Sequence, residues 1–177
     1  DIYYHHNRHM TAQHLKESLN RSQERIWKYL FKFAIVRSPF EIIESDYLLT
    51  LLQLNKTNRN INELWTQRLN RMKKEPGFKS FVLREVLGPF SAIQKGGYWK
   101  TWCLGYHNED LGVEPFFYYD LQNEWLDICE KINVQIDLPH LNASEKEHCQ
   151  WTKKLIDDVS MRCKYDIDYF GFSKPEI

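Results

Sequence analysis

The sequence predicts an α/β domain, helix-rich, with a central parallel sheet flanked by helices. Three observations carry that expectation. Residues 31–36, FKFAIV, form a short and nearly all-apolar run, as expected of a strand covered on both faces in a parallel sheet. Ser38-Pro39-Phe40-Glu41 follows at once with the pattern of a helix start, S-x-x-E with proline at the first helical position. Several other segments repeat apolar residues at helical spacing, whereas VEPFFYY, residues 113–119, reads as a further strand.

In chain order, residues 11–30 have helical character: Thr11 can cap, and Leu15, Leu19, Ile26 and Leu30 recur at roughly helical spacing, with a break near Asn20-Arg21-Ser22. The helix that begins after Arg37 is expected to run to about Leu54. The polar stretch NKTNRN separates it from a second helix, INELWTQRLNRMKK, which Pro76-Gly77 closes. GFKSFVLREVL reads as another short helix, and the glycine- and proline-bearing middle as loops around short strands. LQNEWLDICEKINV returns to helical periodicity, with Leu121, Trp125, Ile128 and Ile132 on one face. The last segment, to Gly171, suggests one or two helices. With 177 residues and no repeat, low-complexity tract or linker, residues 1–177 read as a single domain.

Composition removes several function classes. Hydrophobic residues make up 42% and aromatic residues 15%, a globular rather than a disordered composition. Lys+Arg and Asp+Glu both number 24, so no global field draws the protein to a nucleic acid polymer or an anionic membrane, and an anion must be held locally. Cys103, Cys129, Cys149 and Cys163 show no C-x-x-C spacing and read as free, mostly buried thiols rather than a disulfide scaffold or a zinc site. No apolar stretch approaches the roughly 18 residues that span a bilayer, and the polar start is not a signal peptide, so the chain reads as soluble. It lacks an initiator Met, as a fragment or processed product would. Sequons at Asn20, Asn55 and Asn142 would accept glycans in a secretory pathway.

The stretch FKFAIVRSPFEIIESDY concentrates the chemistry. A parallel strand that delivers Arg37 at its C-terminal end, followed at once by a helix, is where open α/β sheets hold anions. A guanidinium can fork onto two phosphate oxygens, and Ser45, two turns along the helix, can donate one more hydrogen bond. The same two residues also suit an ordinary strand-end arginine and a tolerated helical serine, and on spacing alone both readings stand.

The stretch resembles the strand–loop–helix of sulfotransferases that grips the 3'-phosphate of 3'-phosphoadenosine 5'-phosphosulfate (PAPS), a pattern V-R-x-P-F-x-x-x-x-S-x-Y. Val36, Arg37, Pro39, Phe40, Ser45 and Tyr47 fall in register with it, and the Arg-to-Ser spacing of eight is its diagnostic part. Three further segments are similar, in order, to the carbohydrate sulfotransferase group called family 2. They are RHMTAQHLKESL with its aromatic lead-in IWKYLFKF, the segment FFYYDLQNEWLDICEKINV, and LPHLNASEKEHCQWTKKLIDDVSMRCKYDIDYFGFS. Together the four cover most of the chain.

The resemblance implies a P-loop NTPase-like sulfotransferase fold and transfer of a sulfuryl group from PAPS, as donor co-substrate and with no metal, to a hydroxyl-bearing acceptor, expected to be a glycan. Arg37 and Ser45 would bind the donor nucleotide, and His9, the histidine of the H-x-T-A pattern, would be the catalytic base within the cluster His5, His6 and His9. His9 also suits a solvated or capping role. Asn142 and Ser144 are weaker donor-pocket candidates; His140 reads as a packing histidine, and Asp120 as a fold-tying residue. The family's first strand and phosphate loop, P-K-x-G-[GTS]-[TS]-S, has no match in DIYYHHNRHMTAQ, and QKGGYWKTW, residues 94–102, reads as an acceptor-side loop. The alternative is therefore a catalytically inactive nucleotide-binding or interaction module that keeps the 3'-phosphate pocket. A P-loop kinase is disfavoured, because G-x-x-x-x-G-K-[ST] does not occur. The acceptor surface is expected between about Asn55 and Glu114. A bacterial or viral cytoplasmic setting is preferred to the Golgi lumen that the sequons would suit.

Overall fold

The apolar run after Leu30 becomes strand β1, Lys32–Val36, and VEPFF becomes β2, Val113–Phe117. In this computed structural model, which describes residues 10–55, 63–89, 91, 93, 96–138 and 149–177, with the side chains of 21 and 22 excepted, the two strands pair in parallel from Lys32 opposite Val113 to Val36 opposite Phe117. Pro115 has no N–H to donate and is compatible with a strand paired along one side. Parallel strands need a long crossover, and here it comprises α3 (Pro39–Leu54), α4 (Glu63–Lys74), α5 (Phe78–Phe81) widening into a π turn over Val82–Val86, and α6 (Tyr98–Trp102). Before β1 lie α1 (Ala12–Ser18) and α2 (Arg21–Ile26). After β2 come α7 (Leu121–Lys131), α8 (Lys153–Arg162) and α9 (Lys164–Phe170). The protein is thus helix-rich with a small two-stranded parallel sheet, an α/β arrangement at the coarse level.

The expectation that residues 31–36 are covered on both faces needs correction. Val36 is buried and packs with Trp99, Cys103 and Leu104, but Phe33 and Ile35, on the other face, keep 39% and 40% of their surface. Alternation of this kind belongs to a half-covered sheet. On the more open face, Phe31 stacks on Phe33 and both meet the buried Phe116 edge-on, so a small aromatic cluster covers part of it.

Two cores hold the elements. The larger one joins Phe40 and Ile43 of α3 and Met72 of α4 to Phe81, Val82 and Val86, and to Leu155, Ile156, Val159 and Cys163 of the C-terminal region. The smaller one sits under the sheet and is closed by Phe170 and Phe172. Around the junction of α8 and α9 the two cores meet: Cys163 and Ile167 pack in the larger one, Tyr165 and Phe170 in the smaller one. Helix ends follow local chemistry. The Thr11 hydroxyl accepts from the His14 N–H at 3.1 Å, as the sequence predicts, and α9 stops at Gly171, whose φ of 69° only glycine adopts freely.

Gly97 also has a positive φ, 126°, and a side chain there would collide with the Asp166 carboxylate. That carboxylate accepts the Trp99 N–H at 3.0 Å and so ties the start of α6 to α9. Burial raises the Asp166 carboxyl above its ordinary value, although hydrogen bonds from the amides of Trp99, Tyr98 and Lys100 pull the other way. All four cysteines are free, and three of them are buried. Burial, with Asp166 nearby, pushes the Cys103 and Cys163 thiols up to about 12, which suits packing rather than reactivity. No helix of the described residues is long and apolar enough to cross a membrane.

Candidate functional site

The parallel register decides what meets at the end of the sheet. Val36 lies opposite Phe117, so the next residues, Arg37 and Tyr118, leave the sheet side by side. The Arg37 guanidinium carbon sits 4.3 Å from the centre of the Tyr118 ring, a cation–π contact. Its Nε donates to Glu41 Oε2 at 3.1 Å.

This corrects the predicted capping box. Ser38 does precede α3, but its side chain makes no capping hydrogen bond, and Glu41 is turned to Arg37 instead of the backbone. A guanidinium one turn away is a stronger partner for a carboxylate than a neutral amide, so it prevails. Pro39, at the first helical position, presents no N–H, which leaves the remaining first-turn amides and the positive end of a 16-residue helix beside Arg37.

A cleft of about 330 Å³ opens at this corner. Arg37, Ser38, Phe40, Glu41 and Glu44 line one part of it, Tyr118 and Tyr119 another, and Phe172, Ser173, Lys174 and Pro175 a third. The left-handed turn at Gly171 is what sends these last residues back toward the sheet. Glu44 accepts the Trp151 indole N–H at 2.7 Å, which fixes it against the larger core. Ser45 is half-buried on α3 and does not line the cleft; it stands one turn beyond Glu41 on the same side of the helix.

The structure therefore brings Arg37 and the start of α3 together with residues from two distant parts of the chain, and leaves Ser45 just outside. His9, with His5 and His6, lies outside the described residues, as do His140, Asn142, Ser144 and Lys95. Asp120 accepts from the Asn123 side chain at 2.7 Å, a local contact at the start of α7. The sequence reading missed Tyr118 and Lys174. Tyr118 lay inside the expected strand VEPFFYY; it comes beside Arg37 because the strand ends at Phe117, opposite Val36, a register that the sequence pattern does not give. Lys174 carried no signal either. Among the described residues no three His, Cys, Asp or Glu side chains gather to hold a metal ion.

Comparison with known proteins returned no matching family model, no matching curated protein and no matching solved structure.

Proposed function

We propose that this chain is the nucleotide-holding part of a PAPS-dependent sulfotransferase, with the Arg37 cleft as the seat of the donor's 3'-phosphate and a carbohydrate hydroxyl as acceptor. The observation that carries this reading is the position of Arg37: at the end of a parallel strand, beside the N-terminus of α3, with an aromatic ring under its guanidinium and an open cleft before it. The guanidinium and the helix N-terminus favour an oxyanion in that cleft, and the Tyr118 ring holds the guanidinium in place.

In the reaction, the acceptor oxygen attacks sulfur, the bond from sulfur to the 5'-phosphate oxygen breaks, and adenosine 3',5'-bisphosphate leaves while a base takes the acceptor's proton. The resemblance gives the base role to His9. Arg37 contributes binding energy and register. A phosphate that took over Arg37 from Glu41 would lie along the face of α3 that leads to Ser45, because residues four apart on a helix are neighbours. Ser45 could then donate its hydroxyl.

Calorimetric titration with adenosine 3',5'-bisphosphate tests the assignment. Binding is expected, and Arg37→Ala is expected to weaken it by about 1.5–3 kcal/mol, the range for a hydrogen bond to a charged group. An affinity unchanged by that substitution would remove the site.

A further inference from the structure

We infer that the C-terminal segment Ser173–Lys174 is part of the same anion site, with Lys174 as a second cation on the phosphate that Arg37 holds; this rests on the nucleotide reading above. The charges that line the cleft carry the inference. Arg37 and Lys174 are positive, Glu41 and Glu44 negative. With Arg37 alone the cleft would be net negative, and a phosphate dianion would meet two carboxylates and one guanidinium, an unfavourable balance at these separations. Lys174 is the one further cation lining the cleft among the described residues, and it restores neutrality.

Its present engagement is weak. The Lys174 ammonium is 3.7 Å from Asp157 Oδ1, beyond ordinary hydrogen-bond length, and both side chains are exposed. A flexible four-carbon stem can leave such a partner without loss to the fold. Ser173 adds a hydroxyl from the same wall, and Ser38, whose hydroxyl makes no capping hydrogen bond, adds another from the opposite end of the sequence. The site so assembled has two cations and two hydroxyls around one cleft, with Tyr118 and Tyr119 beside them. Such a set fits a phosphorylated nucleoside better than a free carboxylate, because three phosphate oxygens can each find a donor.

The test uses the full chain and four proteins: wild type, Arg37→Ala, Lys174→Ala and Lys174→Arg, each titrated with adenosine 3',5'-bisphosphate and with adenosine 5'-monophosphate at one fixed salt concentration. Lys174→Ala is expected to weaken the bisphosphate by roughly five- to tenfold, on the scale of one exposed charge-assisted contact, and to leave the monophosphate unchanged. Lys174→Arg should recover most of the loss. If Arg37→Ala weakens the bisphosphate and Lys174→Ala does not, the segment is no part of the site while the nucleotide reading stands. Equal weakening of both nucleotides by Lys174→Ala would overturn the shared-phosphate assignment. A wild type that binds no bisphosphate overturns the nucleotide reading itself, and this inference with it.

Discussion

Among the described residues, a cluster of arginines around Glu85 and the lone Arg37 both face carboxylates, and their surroundings differ in a way that separates a structural tie from an exchangeable one. Around Glu85, Arg71 makes a forked pair at 2.9 and 2.8 Å, Arg84 adds a bond at 3.2 Å, and Arg68 approaches to 3.9 Å while it also pairs with Asp46. The Glu85 side chain keeps only 5% of its surface. Arg37 itself has one carboxylate partner among the described residues, Glu41, with 53% of its surface in solvent, one tyrosine ring, and an open cleft before it. The first arrangement leaves little room for a new anion. The second lets a solvent-facing carboxylate step aside for one.

The largest expected effect lies at the buried group. Glu85→Ala removes the buried carboxylate onto which Arg71 forks and toward which Arg84 and Arg68 also turn, although Arg68 keeps Asp46 and Arg84 keeps Glu75. It should destabilise the fold by up to about 3–5 kcal/mol, the range for removal of one partner from a buried ion pair. Denaturant unfolding reads this directly. Arg37→Ala should cost no more than about 0.5 kcal/mol of stability, because its partner is exposed, while it weakens nucleotide binding to the extent given above. Equal stability losses in the two variants would show that the distinction between the two groups is false.

A smaller effect sharpens the comparison through pH. Burial pushes the Glu85 carboxyl up, but the hydrogen bonds from Arg71 and Arg84 and the nearby positive charge outweigh it, so it titrates below its ordinary value of 4.5. A depressed carboxyl contributes stability that is present above that value and is lost as pH falls through its folded pKa. Asp166 has the opposite sign. Raised above 3.8 by burial, it contributes stability that is present below that value and is lost as pH rises through its folded pKa. In a series of thermal midpoints from about pH 3 to 7, Glu85→Gln should therefore flatten the acid decline and Asp166→Asn should steepen it. A steeper decline in Glu85→Gln would reverse the reading of that cluster.

How much of this was legible in the sequence follows from the range of each interaction. The helix from Pro39 to Leu54, the strand that begins at Val113 and the stop at Gly171 rest on local signals, and the structure has them where the pattern puts them, except that the strand ends at Phe117 rather than Tyr119, where a tight turn takes over. The covering of β1 was misread because an apolar strand alone does not reveal how many neighbours it has; Phe33 and Ile35 are apolar and still exposed. Glu41 was misread for a related reason. S-x-x-E describes a competition between the backbone and other donors, and the winning donor, Arg37, stands in plain view four residues earlier. The Glu85 cluster and Lys174 depend on pairings across 14 residues or far more, which no local pattern encodes.

The smallest effect tests whether Glu41 is an occupant of the anion site or a part of it. If the carboxylate merely fills the place a phosphate would take, Glu41→Gln removes a repulsive charge beside the incoming ligand and weakens the hold on Arg37. Adenosine 3',5'-bisphosphate should then bind about two- to fivefold tighter, under about 1 kcal/mol, with the melting temperature nearly unchanged, as expected for an exposed pair. If instead Glu41 is needed to aim the guanidinium, the same substitution weakens binding, because Arg37 is then free to turn on the Tyr118 ring. The sign of the change decides between the two, and because Glu41 is exposed and only one turn into α3, the substitution perturbs little besides the charge that the comparison turns on.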